Sequence, residues 1–397
     1  MSQERKNIIY LFISRSLRSF VAGFVAIAIS LYFYDVLKLS LILVGVLFTV
    51  GAFATPLISL FVGVSGDRYG RKFILIADLL TLPVALVIVL VTRNFYALAA
   101  ASAIGGFGVA GGLVGGGVGA SVGPVVTTML AENTSNENRT FVYSINSVIS
   151  TFAGAGGALL VSFISFQLLF KIGIIISLLS ALIILPVTEK FKGLKTTQKK
   201  GESTISEKDR RFIKAFAYTG LFNGLSMGLI TPYYPIIFHA FFHMTTADVG
   251  YLMSLGGIIS GAVDIFTPAL TTRMGFLKLI TRTRVVSATM MLLIPFSPNF
   301  IFASALYLFM TPLRAVSLPA QTSLQMSLIS EGRRATSSGL NQAARLLASA
   351  VATSAGGTLL ALGPLLIPFA IAASFTYGNT ALYYYYFAGI PEANKKH

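Results

Sequence analysis

Residues 63–72 read Gly63-Val64-Ser65-Gly66-Asp67-Arg68-Tyr69-Gly70-Arg71-Lys72. The segment is a short basic turn between two long apolar stretches. Gly63 permits close helix approach and Gly70 permits a tight turn. Asp67 can pair with a basic group or accept from a helix N-terminus. Arg68, Arg71 and Lys72 hold the turn at a membrane surface. A weaker copy stands 205 residues later, with Thr272, Arg273 and Gly275 at the positions of Asp67, Arg68 and Gly70. The same offset relates Val44, Gly45, Leu47 and Gly51 to Val249, Gly250, Leu252 and Gly256. An offset of 195 relates Pro124, Arg139 and Asn146 to Pro319, Arg334 and Asn341. The chain therefore repeats, and two related halves are expected.

What surrounds the turn fixes the class of chain. Of 397 residues, 55% are hydrophobic and 11% are charged, with a mean hydropathy of +0.78. Soluble domains carry roughly 25% charged residues, so most of this chain does not meet water. Several apolar stretches reach about twenty residues, the length that crosses a hydrocarbon core of roughly 30 Å. They are solid rather than alternating, which selects helices over the strands of a barrel. The expected spans are 8–34, 40–63, 72–92, 95–127, 140–164 and 167–187, then 212–242, 247–270, 283–297, 300–326, 336–361 and 364–389. Arg15 and Arg18 interrupt the first apolar stretch, so it reads as a first transmembrane helix rather than a cleaved signal.

The net charge of +16 does not point to nucleic acid, because the basic residues sit in short loops between spans. With both termini cytoplasmic, only Lys38, Arg93 and Lys171 fall in outer loops, while Arg282, Arg284 and the other loop cations fall inside. That is the positive-inside pattern. The long polar segment 188–211 reads as a solvated connector near the anionic inner leaflet, dividing a six-helix bundle 1–187 from another at 212–397. The chain has no cysteine, which excludes a disulfide framework, a thiolate metal site and a thiol nucleophile. It has no tryptophan either, so an interfacial belt must use Tyr and Phe, as in the run Tyr383–Phe387. His239 and His243 are four apart, but no third metal ligand is evident and no metal is expected. Gly106-Phe107-Gly108-Val109-Ala110-Gly111 matches a dinucleotide fingerprint inside an apolar span, where glycines serve helix packing. No nucleophile–base constellation stands out, so an enzyme reading has nothing to rest on and no cofactor is expected.

The spacing of residues 63–72, its place after the second span and its degenerate second copy resemble the major facilitator superfamily signature Gly-x-x-x-Asp-Arg-x-Gly-Arg-Lys. The resemblance covers essentially the whole chain. It implies an all-α membrane protein of twelve transmembrane helices in two pseudo-symmetric six-helix bundles, the MFS fold, with both termini cytoplasmic. It implies a monomer in the plasma or inner membrane, in contact with membrane lipids, that moves a small-molecule substrate by alternating access. It further implies that Gly63, Asp67, Arg68, Gly70, Arg71 and Lys72 form a cytoplasmic gate that latches the halves together when the outside is open. Tyr233 and Tyr234, between Pro232 and Pro235, are suggested as an outer gate. The fourth span lacks the arginine, and the fifth the Gly-Pro pair, that the drug–proton antiporter branch carries.

Ionisable groups at mid-membrane are costly and usually functional. Arg18 is ten residues into the first span, about 15 Å deep, and its counterpart at the 205 offset is Asn223. Asp264, Arg314 and Arg345 lie at similar depth in the second half, and Asn341 precedes Arg345 by one turn. Two readings compete. In one, Arg18, Asn223, Arg314, Asn341 and Arg345 receive an anionic substrate, while Asp264, with Asp78 as a second candidate, couples protons. In the other, Asp264 neutralises one arginine, Asp78 pairs with a loop arginine, and the remaining arginines satisfy backbone carbonyls or snorkel. Nothing resembles a nucleotide-binding loop, so an ion gradient, here H+, is the expected energy source. A secondary transporter of a proton-coupled organic anion is the expected function. Efflux of drugs or lipophilic cations is the alternative, and a non-transporting membrane sensor stands behind both.

Overall fold

The computed structural model describes residues 3–109, 123–134, 139–189, 206–330 and 333–394. The expected connector 188–211 is thus described only at its two ends, and the glycine run only up to Val109 and from Gly123. The side chain of Asp67 lies outside the described residues, as does all of Lys395 and Lys396.

The described residues are mainly helical, without a strand. In the first half the helices are α1 Gln3–Leu31, α2 Leu41–Tyr69, α3 Arg71–Leu79, α4 Thr81–Val91, α5 Phe95–Gly105, α6 Gly123–Glu132, α7 Arg139–Leu160 and α8 Phe166–Leu182. In the second half they are α9 Glu207–Ile230, α10 Tyr234–Ile236, α11 Thr246–Ile265, α12 Thr267–Met274, α13 Phe276–Leu293, α14 Phe300–Leu328, α15 Arg334–Leu362, α16 Leu366–Phe387 and α17 Pro391–Asn394.

Local chemistry sets many of these boundaries. Asn94 starts α5 by accepting from the backbone N–H groups of Tyr96 and Ala97 at 2.9 and 3.3 Å. Asn299 starts α14 by accepting from Phe302 N at 3.0 Å. Such caps satisfy donors that have no intrahelical partner. Gly106, at φ 66°, ends α5, so the expected span 95–127 is broken there. Phe266, just before Thr267 and Pro268, separates α11 from α12 within the expected span 247–270.

The repeat read from sequence recurs in the backbone at the same offset. A π-helical turn at Tyr32–Val36 closes the first span, and another at Ile237–Phe241 closes its counterpart. Lys38 and His243 follow them, each at φ 54°, and Gly70 and Gly275 have φ of 101° and 79°. Packing repeats too. Gly23 and Gly157 bring α1 and α7 into backbone contact through Gly154 and Phe20. Gly220, Gly224 and Gly228 bring α9 onto the carbonyls of Asn341, Arg345 and Ser349 on α15. Small residues every fourth position let helices pack this closely.

The chain divides into two compact units. One comprises Met1–Leu39, Val46–Lys200 and Thr245–Ser254; the other comprises Ser40–Gly45, Gly201–Met244 and Leu255–His397. The segments Ser40–Gly45 and Thr245–Ser254 start at counterpart positions, and each clusters with the unit that holds the other half of the chain. The first unit has a core of Leu11, Leu75, Leu79, Met129, Leu130 and Ile184. The second has one of Phe212, Phe216, Ile280, Leu324, Tyr383 and Phe387.

Among the described residues seven helices are long and apolar enough to cross a membrane, and two shorter apolar helices accompany them. The run Tyr383–Phe387 divides between environments. Helical periodicity turns Tyr383 and Phe387 into the core, at 0% exposure, and leaves Tyr384 and Tyr385 outside at 67% and 75%. Of these four, only the latter two can serve an interfacial belt. The ninth span also departs from expectation. It starts at Phe276, directly after Gly275, rather than at 283. Arg284 therefore lies nine residues into a helix and not in an inner loop.

Candidate functional site

In the first unit the basic turn is tied to the end of the same half. The Glu189 carboxylate accepts from the backbone N–H groups of Arg71 at 2.6 Å and Lys72 at 3.3 Å, capping α3. Arg71 donates through Nη1 to Glu132, and Lys72 Nζ donates to Leu185 O at 2.6 Å. Arg68 lies over the Tyr69 ring, 5.3 Å from its centroid. A polar clamp lies near this turn. Asn7 Nδ2 donates to Asn133 Oδ1 at 2.9 Å and Thr188 O at 3.0 Å. In the second unit a polar contact joins Asp209 to Ser330, whose Oγ donates to the carboxylate at 2.7 Å.

Deeper in the first unit, Arg18 is 1% exposed and donates through Nη1 to Leu79 O at 3.2 Å. Its Nε and Nη2 have no hydrogen-bond partner among the described residues. Asp78, buried on α3, is the carboxylate whose charge it feels. Arg15 donates through Nε to Ser150 Oγ at 3.2 Å.

The second unit gathers the remaining candidates around a residue that sequence reasoning missed. Arg284 on α13 is 3% exposed. It donates through Nη1 to Asn379 Oδ1 and through Nη2 to Gln321 Oε1, the latter at 2.7 Å. Its guanidinium lies over the Tyr383 ring, 4.7 Å from the centroid. Asn379 passes the network to Thr219 O at 2.5 Å. Gln321 Nε2 donates to Asn341 Oδ1 at 3.4 Å, and Asn341 Nδ2 donates to Phe216 O at 2.5 Å. Asn341 is thus bound into the scaffold of this network, on the same helix as Arg345. The available signal was the turn at Gly275, which starts the helix early enough to bury Arg284.

Arg314 on α14 is half-buried; its Nη1 approaches Met291 Sδ at 3.6 Å, and its guanidinium faces the Tyr234 hydroxyl. Tyr234 stacks edge-on against Tyr307, with centroids 5.1 Å apart. Arg345 is half-buried and donates to Gln342 Oε1 at 2.7 Å. Neither arginine, nor Arg284, is in an ion pair with a carboxylate among the described residues. Asp264 does not neutralise any of them. Its Oδ1 is buried without a partner among the described residues, as are Ser260 Oγ one turn before and Thr267 Oγ1 one turn after. Asn223 Nδ2 is likewise buried without a partner there.

Tyr233 and Tyr234 stand at a real helix break: α9 ends at Ile230, and Thr231–Tyr233 form a 3-10 turn. Tyr233 is fully buried and donates to Thr353 O at 2.5 Å, with Gly45 and Gly357 closely packed around its hydroxyl. His239 and His243 do not share a regular helical face. The His239 ring bonds Met244 O at 2.7 Å, and His243 lies beyond the π turn at positive φ.

A family model described as Major Facilitator Superfamily matches residues 11–353. No curated protein matches the sequence. Among solved structures, a point mutant of the nucleoside transporter NupG aligns with a TM-score of 0.79 and 13% identity, covering 96% of this chain and 100% of that one. A D-xylose-proton symporter aligns at 0.77 and 12%, covering 97% and 98%. The human organic anion transporter MFSD10 (TETRAN) aligns at 0.64 and 15%, covering 96% and 100%. At such identities the likeness is one of fold.

Proposed function

This chain belongs to the major facilitator superfamily, a family of membrane transporters, and from that membership we propose that it moves a small organic anion together with protons by alternating access. The observation that carries the reading is the absence of a carboxylate partner for Arg284, Arg314 and Arg345 among the described residues of one unit. Cations held in a membrane interior without counter-charge are destabilising, and an anionic ligand relieves that cost. In the second unit Asn223, with a buried donor left over, supplies a further anchoring group; in the first unit Arg18 has two buried donors left over that suit an anion by themselves. Asp264 is the proton-coupling carboxylate, because it is half-buried and forms no ion pair among the described residues. Asp78 beside Arg18 is a second carrier.

The rest of the reading follows from the repeat. Twelve spans with both termini cytoplasmic place the turn at residues 63–72 inside, where it acts as a gate, and Tyr233 and Tyr234 outside. The bundles 1–187 and 212–397, joined by 188–211, are the moving bodies of a monomer in the cell membrane. The unpartnered Asp264 Oδ1 supports efflux of a lipophilic cation as the second reading.

Thermal stability of the purified protein against organic anions, sugars, lipophilic cations and neutral drugs, at two pH values, separates the two. A ligand that binds the folded state raises Tm by mass action. Stabilisation by anions, stronger at low pH and lost in Arg314→Ala, is the expected result. Intact anion transport in Arg314→Ala would sink the anion reading, and stabilisation by cations that depends on Asp264 would replace it.

A further inference from the structure

The three arginines of the second unit form a file along the bundle. On α13, Arg284 and Met291 are seven residues apart; on α14, so are Gln321 and Arg314. Arg284 contacts Gln321 at 2.7 Å and Met291 contacts Arg314 at 3.6 Å. These are two rungs of one antiparallel ladder, separated by about 10 Å at 1.5 Å per residue. On α15, Asn341 joins the Gln321 rung at 3.4 Å, and Arg345 stands four residues beyond it, about 6 Å along the axis. Because α14 and α15 run antiparallel through the short connection after Leu328, Arg345 and Arg314 are both displaced from Arg284 in the same direction.

The file is graded in exposure as well as in height. Arg284 is buried, whereas Arg345 and Arg314 are half-buried and able to receive a ligand. Arg284 cannot be neutralised by its neighbours, since Gln321, Asn379 and Tyr383 offer only dipoles and a ring face. Amide oxygens hold the guanidinium in place and leave its charge intact. Among the described residues none of the three arginines is bridged to a carboxylate, and setting the unbridged Asp264 against them still leaves two positive charges uncompensated.

We infer, on the anion-transport reading above, that the substrate is a small organic dianion. Its anionic groups are held by Arg345 and Arg314, and Arg284 is a positioning residue beneath them. Arg284 acts through Gln321 and Asn341, which set the α14–α15 register, and its fixed charge favours the second negative charge of the ligand. A monoanion satisfies one arginine and leaves the other unpaired, so selection against it is built into the charge count.

The test uses the full chain, purified and in proteoliposomes, with matched mono- and dianions: butyrate with succinate, benzoate with phthalate. Tm shifts and counterflow KM and kcat are measured for the wild type, Arg284→Lys, Arg284→Gln and Arg345→Gln. The expected result is at least tenfold tighter binding of dianions by the wild type. Arg345→Gln brings the ratio near one. Arg284→Gln lowers the dianion-over-monoanion preference, read as the ratio of their KM values, about tenfold, and Arg284→Lys restores it. A merely structural Arg284 would lower kcat for both classes together and overturn its assigned role. If Arg284→Gln does not fold, Arg345→Gln alone decides. Equal binding of mono- and dianions by the wild type overturns the inference while leaving the anion reading standing. A failure of every anion to bind removes that reading, and the inference with it.

Discussion

The carboxylate of Glu189 caps the helix that begins at Arg71, accepting from its backbone N–H at 2.6 Å. Gly70 makes this approach possible. Its φ is 101°, a region that disfavours side chains, and a Cβ there would meet Glu189 Oε2 at 3.2 Å. The basic turn is therefore held by a residue 117 positions after Lys72. Loss of the cap in Glu189→Ala is expected to cost about 1 kcal/mol. Gly70→Ala combines backbone strain with displacement of the cap and is expected to cost about 1–3 kcal/mol. Thermal melts of the two variants, and of the double variant, check this; strictly additive effects would show that the glycine does not serve the cap.

The glycine face of α9 makes a sharper prediction. A Cβ on Gly224 would run into the Arg345 carbonyl, whereas one on Gly339 meets nothing within 4 Å. Gly224→Ala is expected to lower stability by about 1–3 kcal/mol through overpacking. Gly339→Ala, in α15, is expected to raise it by about 0.5–1 kcal/mol through helix propensity. Denaturation of the two variants side by side reads the contrast, and a similar loss in both would contradict it.

Tyr233 holds the broken end of α9 to α15 through Thr353 O at 2.5 Å. Removing the hydroxyl in Tyr233→Phe leaves a buried carbonyl short of this donor, for an expected loss of about 0.5–1.5 kcal/mol. If the residue also gates the outer end, the variant speeds counterflow from outside relative to inside in oriented vesicles. An unchanged ratio would confine Tyr233 to packing.

Asp264→Asn keeps shape but cannot take and release a proton. A pH gradient is expected to lose its power to drive accumulation, while counterflow at equal pH persists at a comparable rate. Retained uphill transport would move the coupling role to Asp78, and Asp78→Asn would then be the variant to make.

Membrane crossing, the repeat and its offset, and the family were all legible in the sequence, because each rests on local chemistry. Apolar length fixes whether a segment crosses a bilayer, and glycine at φ 101° or 79° is a requirement of one residue. The break at Tyr233 was legible for the same reason, since proline removes a backbone donor wherever it stands. Counting residues into the expected spans put Arg314, Arg345 and Asp264 well within helices, where each is half-buried. What those charges touch was not recognisable. Arg284 looked like a loop cation because the same residue type obeys the positive-inside rule and fills a core, and only the start of α13 at Phe276 distinguishes the two. The partners Gln321 and Asn379 lie 37 and 95 positions away, and no periodicity in a single helix announces them. Composition and order along the chain dictate which groups must be kept from water. Which of those groups lack a counter-charge was set later, by packing, because neutralisation depends on distances between helices that are far apart in the chain.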